Sequence, residues 1–126
     1  MKIKTKDLIG PALDWAVAQC EGKKFGYKYQ LVDDERDMIE YRPSSDWSHG
    51  GPIKTKHLIA TEPRFLAAGY EHPNGKWVWQ AHLLGSTNID ESHEQEHESE
   101  LIAAMRCYVA SKLGDEVEIH DTLIKE

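Results

Sequence analysis

The feature that most constrains the fold is the apolar segment 99–113, which reads SELIAAMRCYVASKL. Ser99 is a suitable N-cap for a helix here, and Gly114 is a suitable residue to end it. A helix with so much apolar surface must be covered by a sheet or by another helix, so we expect Met105 to be buried between this helix and a sheet. The apolar side chains repeat at helical spacing; they are Leu101, Ile102, Met105, Tyr108, Val109 and Leu113.

A second helix is predicted near the start of the chain. Pro11 occupies a favourable first helical position, and Gly22 follows the segment as a natural stop. Between them, Leu13, Val17 and Cys20 lie on one helical face.

The remaining apolar segments alternate with polar residues, as in half-buried strands. Asn74 and Gly75 favour a tight hairpin turn between two of them. The chain therefore predicts one α+β domain over residues 1–126, in which two main helices pack on one face of an antiparallel sheet of about four to five strands. A charged turn is predicted over 33–37, an ordered loop over 43–52, a helical turn over 52–56, a solvated acidic segment over about 86–100, and a short C-terminal tail. The predicted strands are 27–32, 38–42, 57–62, 65–70, 76–84 and 116–119.

Composition narrows the classes of function. The formal net charge is −7, from 22 acidic and 15 basic residues, and an acidic surface makes nucleic acid an unlikely partner. No apolar run approaches the roughly 20 residues that a membrane span needs, so no membrane association is expected. Cys20 and Cys107 both fall in predicted helices and are interpreted as buried free thiols rather than as a disulfide.

The predicted loop is the preferred location for a ligand-binding site, because functional residues concentrate on ordered loops. Consecutive glycine amides that lead into a helix can cradle an anion, and a neighbouring indole can stack on a base. In the alternative, Asp46 and the serines bond their own backbone while Trp47 fills the core. The candidate ligand-binding residues are Ser44, Ser45, Asp46, Trp47, His49, Gly50 and Gly51.

Two further patterns have both a functional and a structural interpretation. His93 and His97 are four residues apart and would share a face of a helix, but the surrounding glutamates repel one another at that spacing. We therefore expect no metal site and no cofactor. Trp77 and Trp79 lie on one face of a predicted strand, where we expect them to be core residues rather than an exposed patch.

Motifs of known enzyme classes are missing from the sequence, which has no Gly-x-Ser-x-Gly, Walker loop, His-Glu-x-x-His or Cys-x-x-Cys. We therefore predict that the protein has no catalytic residues. Several acidic and histidine side chains are nevertheless candidates to converge in space; they are Asp14, Asp46, His49, His57 and His82.

Three stretches together resemble the NinX-like family of small proteins from lambdoid and related tailed phages and prophages. They are ALDWAVAQCEG, YRPSSDWSHGGPI and LIAAMRCYVASKLGDEVE, in this order. The sequence departs from the family in IDESHEQEHESE and in the strand with two tryptophans.

The resemblance implies a phage accessory protein that is expressed in the cytoplasm of a bacterial host, with no catalytic residues to carry over. Two functional hypotheses remain open. The first is a non-catalytic protein that binds a host or phage protein. The second is a protein that binds or sequesters a small, anionic, nucleotide-like ligand through the SSDWSHGG segment. The sequence leaves the oligomeric state open.

Overall fold

A computed structural model describes residues 1–22, 30–33, 37–69, 73–84 and 93–119. The described helices are α1 (Gly10–Cys20), α2 (Trp47–Lys56) and α3 (Glu100–Leu113), and a 3-10 turn covers Thr5–Asp7. The described strands are β1 (Lys2–Lys4), β2 (Gln30–Asp33), β3 (Asp37–Glu40), β4 (Ile59–Leu66), β5 (Lys76–Leu83), β6 (Gln95–His97) and β7 (Glu116–Glu118). The α+β class is as predicted.

The described strands form three separate antiparallel sheets. The largest has the order β4-β5-β6, while β1 pairs with β7 and β2 pairs with β3. The single sheet of four to five strands is therefore not found among the described residues.

Helix α3 lies at the centre of the fold. It packs on β4, β5 and β6, and it also contacts α1 and α2. Every side chain from Ala103 to Ala110 is buried, as expected for a helix that is apolar on nearly all sides. The predicted packing of two main helices on one face of the sheet is thus corrected, because α1 contacts chiefly α3 rather than the sheet.

The ends of α3 and the burial of Met105 confirm the predictions for this segment. Ser99 Oγ accepts a hydrogen bond from Ile102 N at 3.3 Å, and Gly114 follows the helix with φ +88°. Met105 is fully buried. Leu113 was predicted on the buried stripe, but it is 41% exposed because it occupies the final residue of the helix.

The predicted hairpin pairs the segments that were expected to pair, but the predicted boundaries of its strands are wrong. The predicted strands 57–62 and 65–70 are one continuous strand, β4, which ends at Leu66 and pairs with Lys76 of β5. The strand passes through Pro63, which an edge strand tolerates because the missing N–H faces away from its neighbour. Gly75 takes a positive φ of 77° at the end of the connection.

Other boundaries also differ from the predictions. The returning strand 38–42 is shorter than predicted, since β3 covers Asp37–Glu40. The predicted strand 27–32 corresponds to β2, although residues 27–29 lie outside the described residues. Of the predicted turn 33–37, residues 34–36 lie outside them too.

Part of the acidic segment before α3, which was predicted as a solvated lead-in, forms strand β6, and Glu94, Glu96 and Glu98 are exposed to solvent as predicted. Its glutamates recur at every second position, which is the period of a strand. Each contacts a polar side chain of the same sheet; the pairs are Glu94 with Gln80, Glu96 with Arg64, Glu98 with Lys76, and Glu100 with Thr61. Residues 85–92 lie outside the described part of the chain.

The two ends of the described chain pair with each other. The predicted strand 116–119 is found as β7, and it pairs with β1, which the sequence did not indicate. Lys2 lies opposite Glu118 and Lys4 opposite Glu116, so opposite charges face each other across the ribbon. The buried Thr5 hydroxyl donates to Gly114 O at 2.6 Å and joins this ribbon to the end of α3.

Because α3 is buried at the centre of the fold, a charge introduced on its buried face should lower the free energy of unfolding. Met105→Asp should destabilise the protein by several kcal/mol (about 3–5), because an unpaired carboxylate replaces a buried apolar side chain. Leu113→Asp, on the exposed end of the same helix, should change the free energy of unfolding by less than about 1 kcal/mol. Chemical denaturation of both variants measures this, and equal losses would contradict the central position of α3.

Candidate functional site

The segment predicted as a loop is largely helical. Helix α2 begins at Trp47 and continues through Pro52 to Lys56, so the loop prediction for 47–52 is wrong. The cause is Asp46, which caps the helix: its Oδ1 accepts hydrogen bonds from Ser48 N at 2.9 Å and from Ser48 Oγ at 2.6 Å. These hydrogen bonds lower the pKa of Asp46 below its usual value.

The two glycines of α2 have different surroundings. Gly50 is buried, and a β-carbon there would lie 2.2 Å from Pro43 O and 2.7 Å from Leu101 Cδ1. Its amide donates within the helix to Asp46 O at 2.9 Å, so it does not contribute to a cradle of free amides. At Gly51 a β-carbon would meet only Trp47 Cε3, at an ordinary 3.7 Å. Gly50 is thus required for the close approach of α2 to α3.

Asp14 and Ser44 connect this segment to α1. Both are buried, and Ser44 N donates to Asp14 Oδ1 at 2.8 Å. Burial raises the pKa of Asp14, although the hydrogen bonds of Ser44 and the charge of Arg42 act in the opposite direction.

His49 lies at the centre of the same segment. Its Nδ1 accepts a hydrogen bond from Arg42 N at 3.0 Å and lies 3.8 Å from Asp46 Oδ2. Its ring contacts that of Tyr41, with 5.4 Å between the centroids. The structure therefore brings Asp46 and His49 together, as the sequence suggested, and Asp14 lies near enough for His49 to influence its pKa.

A cleft opens beside this cluster. Its volume is about 380 Å³, and it lies between the start of α1, the segment before α2 and the first turn of α3. Ser44 and Ser45 line it, but Trp47, His49, Gly50 and Gly51 do not. The lining residues are Gly10, Pro11, Asp14, Arg42, Ser44, Ser45 and Ile102.

His57 belongs to a different cluster, which the sequence analysis missed. Tyr108 OH donates a short hydrogen bond to Glu21 Oε2, and His57 Nε2 lies 3.5 Å from the same oxygen. The rings of His57 and Tyr108 are in contact, with centroids 4.4 Å apart. Helical spacing was a partial signal. Glu21 follows Asp14 by two turns at the C-cap of α1, and His57 follows His49 by about two turns at the C-cap of α2.

The pKa values of Glu21 and Tyr108 in this cluster shift in opposite directions. Burial raises the pKa of Glu21, but the Tyr108 hydrogen bond and the nearby Lys56 and His57 outweigh it, so the net pKa is below its usual value. Burial and the bond to Glu21 raise the pKa of Tyr108 well above its usual range. The cluster joins α1, the end of α2 and α3, and its chemistry suits a structural connection.

The other histidines in the described part of the chain, His82, His93 and His97, do not join either cluster. His82 lies on β5 opposite Ala60. His93 precedes β6 and His97 ends it, so the two do not share a helical face. His97 Nδ1 accepts a hydrogen bond from Ser99 N at 2.9 Å. In the described ranges, no three His, Cys, Asp or Glu side chains are grouped as a metal site would require.

Two of the four tryptophans, Trp47 and Trp77, are more exposed than the sequence suggested. Trp47 is 50% exposed, so the interpretation that it fills the core is wrong. Trp79 packs against the core as expected. Trp77 is 64% exposed, against the prediction, and its ring contacts that of Phe65, with 5.0 Å between the centroids. We refer to Phe65 and Trp77 as the aromatic patch.

These features define a small α+β protein built around one buried helix, with a cleft beside α1 and an exposed aromatic patch on its sheet. The sequence profile of the family described as "Bacteriophage P22, NinX" matches residues 4–112. The chain therefore belongs to this NinX phage protein family. No curated protein matches it. In the part of the chain that the structure describes, none of the helices has the length and apolar character needed to cross a bilayer.

The two glycines of α2 provide a matched test of the site geometry. Gly50→Ala should destabilise the protein by about 1–3 kcal/mol or more, since the added methyl overlaps a backbone carbonyl. Gly51→Ala should be neutral or stabilising by up to about 1 kcal/mol, because alanine favours helix and has room there. Thermal and urea unfolding of the two variants measure the difference. Equal effects would contradict the described contact of α2 with Pro43.

Proposed function

We propose that this NinX-family protein acts without catalysis, by binding a host or phage protein through the aromatic patch in the bacterial cytoplasm. The observation that carries the proposal is the joint exposure of Phe65 and Trp77, 47% and 64%, on neighbouring strands. Large aromatic residues are enriched in protein interfaces and account for much of their binding energy.

The position of the aromatic patch supports this function. Trp77, Trp79 and Ala81 alternate along β5 and so share one face of the sheet. Ala81 is fully buried and Trp79 packs against the core, whereas Trp77 continues the same face beyond the buried region. Because this apolar surface is continuous with the core, its side chains are held in place by packed neighbours. A surface held in this way favours tight packing against a partner.

The two free thiols support a non-catalytic role. Cys107 is buried as predicted, whereas Cys20 is only partly buried. Burial raises the pKa of Cys20 to about 11 and that of Cys107 to about 12, which leaves almost no thiolate at neutral pH. A thiol needs its thiolate form to act as a nucleophile.

Binding of a nucleotide-like anion by the SSDWSHGG segment stays a second, untested hypothesis. Its electrostatics are less favourable than the sequence suggested. The Gly50 amide is engaged inside α2, and the carboxylates of Asp14 and Asp46 both lie in the same region. Exposed Trp47 remains available for contact with a ligand or a partner.

Matched tryptophan variants test the proposal. Wild-type protein, Trp77→Ser and Trp47→Ser, each verified as folded by circular dichroism, are used to isolate partners from infected host cells. A captured protein is then purified, and its affinity is measured by calorimetry. We expect Trp77→Ser to weaken binding by about 2 kcal/mol or more, or roughly thirtyfold, and Trp47→Ser to have little effect.

The opposite result would place the binding site in α2 and in the segment that precedes it. If Trp47→Ser abolishes binding while Trp77→Ser leaves it unchanged, the aromatic patch is not the interface.

A further inference from the structure

We propose that the cleft between α1, the segment before α2 and α3 binds a free aliphatic α-amino acid as its zwitterion. Its volume of about 380 Å³ lies at the lower end of the range for small-molecule sites, which is roughly 300–1,000 Å³. A cleft of this size suits a ligand of amino-acid dimensions better than a nucleotide.

The polar groups of the cleft provide one charge of each sign. Asp14 is only 4% exposed, and its carboxylate is held in place by the hydrogen bond from Ser44 N. Arg42 lines the same cleft at the surface, and its charge acts on Asp14. A buried carboxylate favours an ammonium group, and a guanidinium favours a carboxylate through paired hydrogen bonds. An α-amino acid carries both partner groups on one carbon.

The walls favour an aliphatic side chain. Pro11 and Ile102 contribute apolar surface on two sides, and Gly10 contributes backbone without a side chain. Binding sites for small molecules are commonly apolar with a few well-placed polar groups, which describes this cleft.

A wider polar groove of about 730 Å³ elsewhere on the protein is a weaker candidate. Its charged and polar groups already face one another: Arg64 with Glu96 at 3.7 Å, Gln80 with Glu94 at 3.2 Å, and Lys4 opposite Glu116. The residues that line this groove are all polar or charged, so it has no apolar wall to contact an aliphatic side chain.

The test uses the full chain with L-leucine as the probe, in thermal-shift and calorimetric titrations. We expect leucine to raise the melting temperature, because a ligand that binds only the folded state stabilises it. Leucinamide lacks the carboxylate and N-acetyl-leucine lacks the ammonium group. Each should bind at least about tenfold more weakly than leucine, which corresponds to about 1.4 kcal/mol.

A pair of matched arginine variants identifies where leucine binds. Arg42→Gln should weaken leucine binding about tenfold or more while leaving the affinity for leucinamide nearly unchanged. Arg64→Gln, which alters an exposed arginine outside the cleft, should retain full leucine binding.

Three results would overturn the proposal. They are the absence of any leucine-induced shift, equal binding of leucine and its two blocked forms, and leucine binding that survives Arg42→Gln. The partner-binding proposal depends on Trp77 and is unaffected by any of these results.

Discussion

The structure depends on the need to cover α3 on all sides. A helix with apolar or small side chains around nearly its whole circumference cannot rest on a sheet alone, since half of its surface would face water. The three-stranded sheet covers one side, and α1 and α2 cover others. The alanines of α3 allow these neighbours to approach closely, and Gly50 of α2 does the same from the opposing surface.

Arg106 is the exception within α3, and it shows how the covering layers are connected. The side chain is only 6% exposed, and burial lowers the pKa of its guanidinium. A buried cation is costly unless it is hydrogen-bonded. Its Nε donates to Leu8 O at 2.7 Å and its Nη1 to Glu96 O at 3.4 Å. One side chain thus joins the N-terminal segment and strand β6 to the central helix.

The polar connections between the helices explain why the candidate sites lie where they do. Asp14 holds the segment before α2 through Ser44, while Glu21 joins the end of α1 to Tyr108 of α3. The first bond fixes the segment before α2 relative to α1, and the second fixes α1 relative to α3; these three parts bound the cleft. The aromatic patch arises differently, since it is the part of the sheet face that continues past the buried region at Ala81.

The sequence predicted the elements whose signal is local. The caps of α3, the burial of Met105 and the stop at Gly22 follow from helical spacing and backbone preferences. Features that depend on tertiary contacts were missed. Trp47 was a candidate for ligand contact with a core position as the alternative, and the cap by Asp46 starts a helix that leaves its ring exposed.

The candidate site was predictable only in part, for the same reason. The strand period of the glutamates in 94–100 was present in the sequence, but the segment was predicted only as a solvated acidic lead-in. Ser44 and Ser45 do line a cleft, whereas Asp14, Arg42 and Ile102 come from three separate places in the chain. Nothing in their local sequence indicates that they meet.

Native-state hydrogen exchange tests the central position of α3 most directly. Amides in a fully covered helix exchange only when the whole domain unfolds. If α3 is central, the amides from Ala103 to Ala110 have the slowest exchange rates in the chain, and their opening free energies equal that of global unfolding. If those amides instead exchange through a smaller local opening, while β4 and β5 remain protected, then α3 is not the element on which the fold depends.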